Sequence, residues 1–260
     1  MSWLDRYIQE RRREVARCRE TLSAFDSTQA PALRDFRGAL AARAGELPSV
    51  IAEVKFRSPS QGWIRPLCDV EAVAEGYARA GAACLSVLVD GPHFGGEPGF
   101  LTRARSASGL PVLAKGFFVD PVEVDFLRAM GADAILLIAR CLDRDTLEAM
   151  AARARQLGMA ALVELHSDAD LDLIPGLDLD LVGVNHRDLD TLAMDLDLSR
   201  RLAERLPQGA LRVAESGLED TGDLRRMRTL GFASVLVGTA FMRQPDPGEG
   251  LRALLEAVHA

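Results

Sequence analysis

MGADAILLI, residues 130–138, runs from a glycine through a single aspartate into five apolar residues. The same order recurs in AGAACLSVL (80–88), LGMAALVEL (157–165) and LGFASVLVG (230–238). A glycine at the end of a helical pattern closes the helix in the left-handed conformation, and the short apolar run beyond it reads as a buried strand. Working outward, the remaining apolar runs bring the expected strands to eight, near 50–55, 83–89, 111–115, 134–139, 160–165, 181–185, 211–215 and 234–238. Helical patterns lie between them, at 70–81, 143–158 and 218–231 among others. Strands without polar alternation, separated by helices, form a parallel sheet covered on its faces. Eight such units in about 210 residues predict an α/β fold, a closed (β/α)8 TIM barrel. A doubly wound open sheet would carry GxGxxG after its first strand, and KFRSPSQG (55–62) stands there instead. Residues 1–48 read as an N-terminal helical extension packed on the barrel, within a single domain spanning 1–260. One helix is expected over 3–22, with Leu4, Ile8, Val15, Cys18 and Leu22 on its apolar stripe, and a shorter one over 33–44.

Composition narrows the function. A hydrophobic share of 48% fills a sizeable core. The net charge of −7 argues against a nucleic-acid or anionic-membrane partner, which requires a broad basic surface. A small anionic substrate remains compatible with it. The first twenty residues are dense in charge of both signs and lack the apolar core of a signal peptide, so a cytoplasmic protein is expected. No run approaches the ~20 apolar residues of a membrane span. Cys18, Cys68, Cys84 and Cys141 are scattered and read as free thiols. The four histidines make no metal motif, and His166 and His186 read as a turn and a loop residue.

Rare residues say more. Of 31 basic residues only Lys55 and Lys115 are lysine, and Asn185 is the sole asparagine. Arginine is effectively never deprotonated, whereas lysine can be tuned to give or take a proton. In a (β/α)8 barrel the active site sits at the C-terminal ends of the strands. Those ends carry Glu53 and Lys55, Lys115, Glu164, Asn185 with Arg187 beyond it, Glu215-Ser216-Gly217, and Gly238-Thr239. Both lysines and the asparagine therefore fall at strand ends. Glu53 and Lys55, two apart, share a face. They fit either an acid–base pair or a structural ion pair in the barrel. Glu164 fits a catalytic carboxylate or a solvent-facing helix cap. Ser216-Gly217 and Gly238-Thr239, at strands 7 and 8, fit a phosphate cradle or ordinary helix-start turns. Phe94, Phe117 and Trp63 fit aromatic ligand walls or core packing. Together these residues describe acid–base chemistry on a small phosphorylated substrate.

The motifs IAEVKFRSPSQG (51–62), GAACLSVLVDGPHFGG (81–96), PVLAKGFFVDP (111–121), GADAILLIA (131–139), LVELH (162–166), VGVNHRDL (182–189), VAESG (213–217) and VLVGTAFM (235–242) resemble, in order, those of the indole-3-glycerol phosphate synthase family. LDRYIQERRREV (4–15) and RDFRGAL (34–40) extend the resemblance over nearly the whole chain. It implies a stand-alone barrel enzyme of tryptophan biosynthesis that needs no cofactor or metal. The implied substrate is a small phosphorylated anthranilate derivative, 1-(2-carboxyphenylamino)-1-deoxyribulose 5-phosphate. The implied chemistry is ring closure with loss of carbon dioxide and water. A monomer or weak homo-oligomer is expected.

The resemblance also assigns roles. Lys115 is the general acid at the ribulose carbonyl. Lys55 pairs with the substrate carboxylate and serves as acid in dehydration. Glu53 and Glu164 move protons and stabilise the iminium-like intermediate. Asn185 orients the substrate, and Glu215 and Ser216 complete the catalytic set. Ser58, Arg187, Gly217, Gly238 and Thr239 bind substrate or its phosphate, and Phe94 and Phe117 wall the anthranilate ring. Ser58-Pro59-Ser60 begins a mobile first βα loop.

The chain also departs from the family's usual pattern. Lys115-Gly116-Phe117 stands where Lys-Asp-Phe is usual, Ala114 is smaller than the norm, and HFGGEPG (93–99) lacks a usual polar residue. A paralogue closing a substituted anthranilate, with room around Gly116 and Trp63, is one alternative. Another phosphate-binding barrel, such as an isomerase or a Schiff-base aldolase, is a second, and a non-catalytic barrel a third.

Overall fold

The computed structural model describes residues 2–42 and 47–257. Eight parallel strands close on themselves: β1 Ser49–Val54, β2 Cys84–Leu88, β3 Val112–Lys115, β4 Ala134–Ile138, β5 Ala160–Leu165, β6 Leu181–Asn185, β7 Leu211–Glu215 and β8 Ser234–Val237. Closure is made by β1, which pairs with β2 on one side (Ile51 opposite Cys84) and with β8 on the other (Ile51 opposite Leu236). All eight strands lie within a residue or two of the apolar runs that predict them.

The repeat read from the sequence has its backbone counterpart. Gly131, in the opening stretch, has φ +94°, and the matching Gly81, Gly158 and Gly231 are left-handed as well. Such a residue ends a helix and turns the chain into the next strand without a Cβ clash. Aspartates start the helices. Asp69 accepts from the Glu71 amide (3.0 Å), Asp143 from Thr146 (2.8 Å) and Asp220 from Asp223 (2.9 Å). Each satisfies an amide that has no partner inside the helix.

Alternation along the strands divides the core. Val50, Ala52 and Val54 pack outward into the layer shared with the helices. Ile51, Leu113, Leu136, Leu162, Leu181, Val213 and Leu236 fill the barrel interior. One further step along the same inward faces brings Glu53, Lys115, Ile138, Glu164, Gly183 and Glu215 to the layer above. The floor of the barrel is therefore apolar, and the charges collect at its C-terminal mouth.

Two α-helices precede the first strand among the described residues. Helix α1, Trp3–Ser23, buries Leu4, Tyr7, Ile8 and Val15. Cys18 is exposed, contrary to its expected place on the stripe, and Leu22 is half-buried. Leu22, beyond Cys18 near the end of the helix, still packs against the apolar cluster of the barrel interior. Helix α2, Phe36–Ala42, buries Phe36 and Leu40 beneath the barrel interior. The expected C-terminal end of this helix, together with Met1 of the extension, lies outside the described residues. No helix among the described residues is long and apolar enough to cross a membrane.

Beneath the strands, Asp133 is the hub of a buried network. Its carboxylate accepts from the amides of Arg34 (2.8 Å) and Val112 (3.0 Å) and from Arg105 Nε (3.3 Å) and a terminal nitrogen (3.1 Å). Arg105 donates onward to the Ala32 carbonyl (2.6 Å). The segment before α2 is thus fastened to the N-terminal face of the barrel.

Candidate active site

A cavity of about 240 Å³ opens at the C-terminal mouth. Every residue to which the resemblance assigns a role lines it: Glu53, Lys55, Ser58, Phe94, Lys115, Phe117, Glu164, Asn185, Arg187, Glu215, Ser216, Gly217, Gly238 and Thr239. Lys55 lies one residue beyond β1, which ends at Val54, and its Nζ forms an ion pair with Glu53 Oε2. The two-residue spacing does bring the charges together. At Ser58 the backbone forms a small hairpin, Arg57–Ser58 against Gly62–Trp63. Trp63, offered as a ligand wall, is 56% exposed and is absent from the lining. Its ring lies 5.8 Å from the Arg57 guanidinium and against Gly95.

Lys115 is the electrostatic centre. Its Nζ pairs with Glu215 Oε2, lies 3.3 Å from Glu164 Oε2 and 4.0 Å from Glu53 Oε1. Burial alone would push the ammonium towards neutrality, but Glu215, Glu164 and Glu53 together hold its pKa above the usual lysine value. Burial also opposes ionisation of Glu164, and there Lys115 and His166 prevail, holding the carboxyl well below the usual range. Glu215 goes the other way. Burial first, and the charge of Glu164 second, push it well above the ordinary carboxylate range. Neighbouring carboxyls with opposite shifts are the usual sign of divided acid and base duties.

Two glycines make this packing possible. A Cβ at Gly183 would stand 2.4 Å from Glu215 Oε1, and one at Gly238 would stand 2.3 Å from Glu53 Oε2 and 2.8 Å from Glu53 Cβ. The second clash cannot be relieved by moving only the far end of the side chain. Gly238→Ala is expected to lower turnover about 10- to 100-fold through displacement of Glu53. Overpacking should cost about 1–3 kcal/mol of stability. Steady-state kinetics and denaturant melts on one preparation check both.

The β7 end has its own support. Ser216 and Gly217 are both left-handed, at φ +67° and +69°. The Ser216 carbonyl accepts from His186 Nδ1 (2.8 Å), whose Nε2 lies 2.7 Å from Ser199 Oγ. His186 does follow a strand, as read, but it is fully buried. Asn185 Oδ1 accepts from the Arg187 amide (3.0 Å), and the Arg187 guanidinium donates to the Leu192 carbonyl (3.1 Å).

Two contributors are not visible in the strand-end reading. Trp3, from α1, lines the cavity. It stacks on Tyr7 (5.4 Å between centroids), and Tyr7 meets the Phe117 ring edge-on (5.1 Å). With Phe94 5.8 Å from Phe117, they form a continuous aromatic wall. The other is His166, whose ring meets Glu164 from outside the cavity. Among the described residues no group of three or more His, Cys, Asp or Glu side chains could hold a metal ion.

The family described as indole-3-glycerol phosphate synthase matches residues 4–254. The chain belongs to this family. Indole-3-glycerol phosphate synthase of Aromatoleum aromaticum is 45% identical over 259 residues, covering 96% of this chain and 98% of that protein. The enzyme of the same name from Dechloromonas aromatica is 43% identical over 96% of this chain and 98% of its own length. That of an Azoarcus species is 50% identical over 86% of each. Among solved structures, 3-hexulose-6-phosphate synthase from Salmonella typhimurium superposes with a TM-score of 0.64 at 15% identity, over 81% of this chain and 98% of that one. Orotidine 5'-phosphate decarboxylase from Pyrococcus horikoshii does so at 0.59 and 13%, over 81% and 99%. At such identities the structures speak for the barrel alone.

Gly116, read from the sequence as a departure from the family's usual pattern, lines the cavity. A Cβ there would meet the Phe118 ring at 3.1 Å and Val89 at 3.4 Å. The Phe118 ring therefore occupies the space next to Gly116, so this substitution opens no recess on that side.

Proposed function

We propose that this chain closes the indole ring of 1-(2-carboxyphenylamino)-1-deoxyribulose 5-phosphate, releasing carbon dioxide and water to give indole-3-glycerol phosphate. The observation that carries the reading is Lys115, enclosed by Glu53, Glu164 and Glu215 at the barrel mouth of a chain belonging to this family. The anthranilate ring lies along the wall of Phe94, Phe117 and Trp3. The phosphate is held at Ser216-Gly217 and Gly238-Thr239, with Arg187 beside them.

The ring carbon bearing the carboxylate attacks the ribulose carbonyl carbon. As the new carbon–carbon bond forms, the carbonyl π electrons go to oxygen and Lys115 supplies its proton. Positive charge on the anilino nitrogen is stabilised by Glu53. Carbon dioxide then departs, and the electrons of the broken bond neutralise the iminium. In the final step Glu164 removes a proton from the carbon attached to nitrogen, while the hydroxyl made in the first step leaves as water with a proton from Lys55. Asn185 orients the substrate throughout. Glu215, with its carboxyl pushed towards the protonated form, faces Lys115 and can restore the proton that Lys115 gives up.

The test is direct. Metal-free protein is mixed with the carboxyphenylamino-deoxyribulose phosphate and the rise of indole fluorescence is followed. Turnover of about 1–1,000 per second is expected, the ordinary range of enzymes. A folded protein that binds the substrate and produces no indole would remove the reading.

A further inference from the structure

Glu164 and His166 are two residues apart at the end of β5, so their side chains leave the chain on the same side. The His166 side chain is wholly enclosed, with 0% exposure. Its two ring nitrogens each have one partner. Nδ1 lies 2.8 Å from the Arg187 carbonyl, and Nε2 lies 2.6 Å from Glu164 Oε1. A carbonyl oxygen can only accept, so the Nδ1 contact needs a proton on Nδ1 and fixes the ring's rotation. Nε2 is then directed at Glu164, whose ionised carboxylate can only accept, so this contact needs a proton on Nε2 as well and the paired ring carries both. The other carboxylate oxygen, Oε2, faces Lys115 Nζ at 3.3 Å. One oxygen is held from behind, and the other points at the amine.

We propose that His166 is a positioning residue. It pins Oε1 of Glu164 so that Oε2 stays aimed at Lys115 and the reacting centre. Through the Arg187 carbonyl it also fixes that carboxylate relative to the β6 end, which carries Asn185. The inference rests on the ring-closing reading. The local backbone does not depend on the imidazole, because Asp170 Oδ2 accepts from the amides of His166 (2.6 Å) and Ser167 (3.1 Å). Replacement of the ring therefore leaves the turn anchored.

Two amide variants separate the ring's two contacts. His166→Asn retains a donor near the position of Nδ1 and loses the contact with Glu164. His166→Gln retains a donor near the position of Nε2 and loses the contact with Arg187. For His166→Asn the expected result is a fall in kcat of about 10- to 100-fold, the effect of a catalytic group misplaced by about an ångström. KM should stay within about threefold, because the ring does not touch the cavity. The acid limb of kcat/KM should move to higher pH, since Glu164 loses one of the groups that hold its carboxyl low. His166→Gln is expected to keep most of the wild-type kcat, with a smaller shift of the acid limb, because it restores the hydrogen bond to Glu164 but not the charge of the ring. Equal losses in both variants, or a rise in KM alone, would overturn the proposal and make the ring a strut for the β6 end. Near-normal kcat in His166→Asn would overturn it too, as would a His166→Asn chain that fails to fold. Wild-type protein in the same assay separates the two levels: inactivity there ends the ring-closing reading itself, whereas the variant-to-wild-type ratio speaks to His166.

Discussion

Lys115→Arg is expected to remain folded and to lose about 100- to 10,000-fold in kcat, the range that a positioned general acid contributes. The two halves of that expectation have separate causes. The lysine ammonium neutralises a pocket in which Glu53, Glu164 and Glu215 are all buried. Arginine keeps the positive charge and offers more donors, so the carboxylates stay paired and the melting temperature should shift by only a few degrees. A guanidinium does not release its proton at any pH where the protein survives, so protonation of the carbonyl oxygen fails. KM should change far less than kcat, because the lost interaction belongs to the transition state. Lys115→Met reverses the pattern on the stability side. With Glu164 and Glu215 left without their lysine partner, while Lys55 stays on Glu53, the cost should be about 3–5 kcal/mol. Near-normal turnover in Lys115→Arg would show that position 115 contributes charge and not a proton.

The same lysine shows what the sequence could reveal and what it could not. In a chain that uses arginine at 29 of 31 basic positions, two lysines at strand ends stand out. The strand ends are legible because a closed parallel barrel buries its strands on both faces, leaving apolar runs bounded by glycine and polar residues. β5 and β6 are found at the limits read from the sequence, and β1 differs by one residue, Lys55 falling just beyond it. Strand alternation then predicts which charges point inward, and the Glu53–Lys55 pair follows from it.

The misses have physical reasons of their own. His166 stands to Glu164 as Lys55 stands to Glu53, two residues on and on the same face. The spacing was visible, but a histidine just past a strand reads as an ordinary loop residue unless its burial is known. Trp3 reaches the site, backed by Tyr7, from a helix about a hundred residues before Phe117. No local pattern reports which wall of the barrel that helix will meet. Cys18 fits the apolar stripe of α1 by periodicity, yet it is exposed while Leu22 beyond it is packed, so the stripe is not covered evenly. Trp63 fits a ligand wall or core packing by residue type alone. The hairpin that carries it sets its ring over Arg57 and against Gly95, away from the cavity lining.

Asp133, the one charged residue in the stretch that identifies the fold, is expected to carry the largest share of stability of any single side chain at the opposite face. It is 1% exposed and accepts from two backbone amides as well as from Arg105, itself 7% exposed. Asp133→Ala leaves the guanidinium without its counter-charge and the amides of Arg34 and Val112 without their acceptor. Breaking one side of a buried pair in this way costs about 3–5 kcal/mol. For a chain of this size that corresponds to a fall in melting temperature of roughly 10 °C. Removal of the partner as well, in Asp133→Leu with Arg105→Leu, should recover part of the loss, because the Arg105 charge is no longer buried without its partner, although Arg128 still faces the emptied site. The amides stay unmatched, so the recovery should be incomplete. Turnover measured well below the melt should remain within about threefold of wild type, since conserving the mouth geometry does not require this network at the other end of the strands. Denaturant melts of the single and double variants, with kinetics on the same samples, decide it. Asp133→Ala that melts like the wild type would mean that water replaces the carboxylate at no cost. Loss of kcat in a folded variant would mean that strain at the floor of the barrel reaches Lys115, and the division between a stabilising face and a catalytic face would fail for this protein.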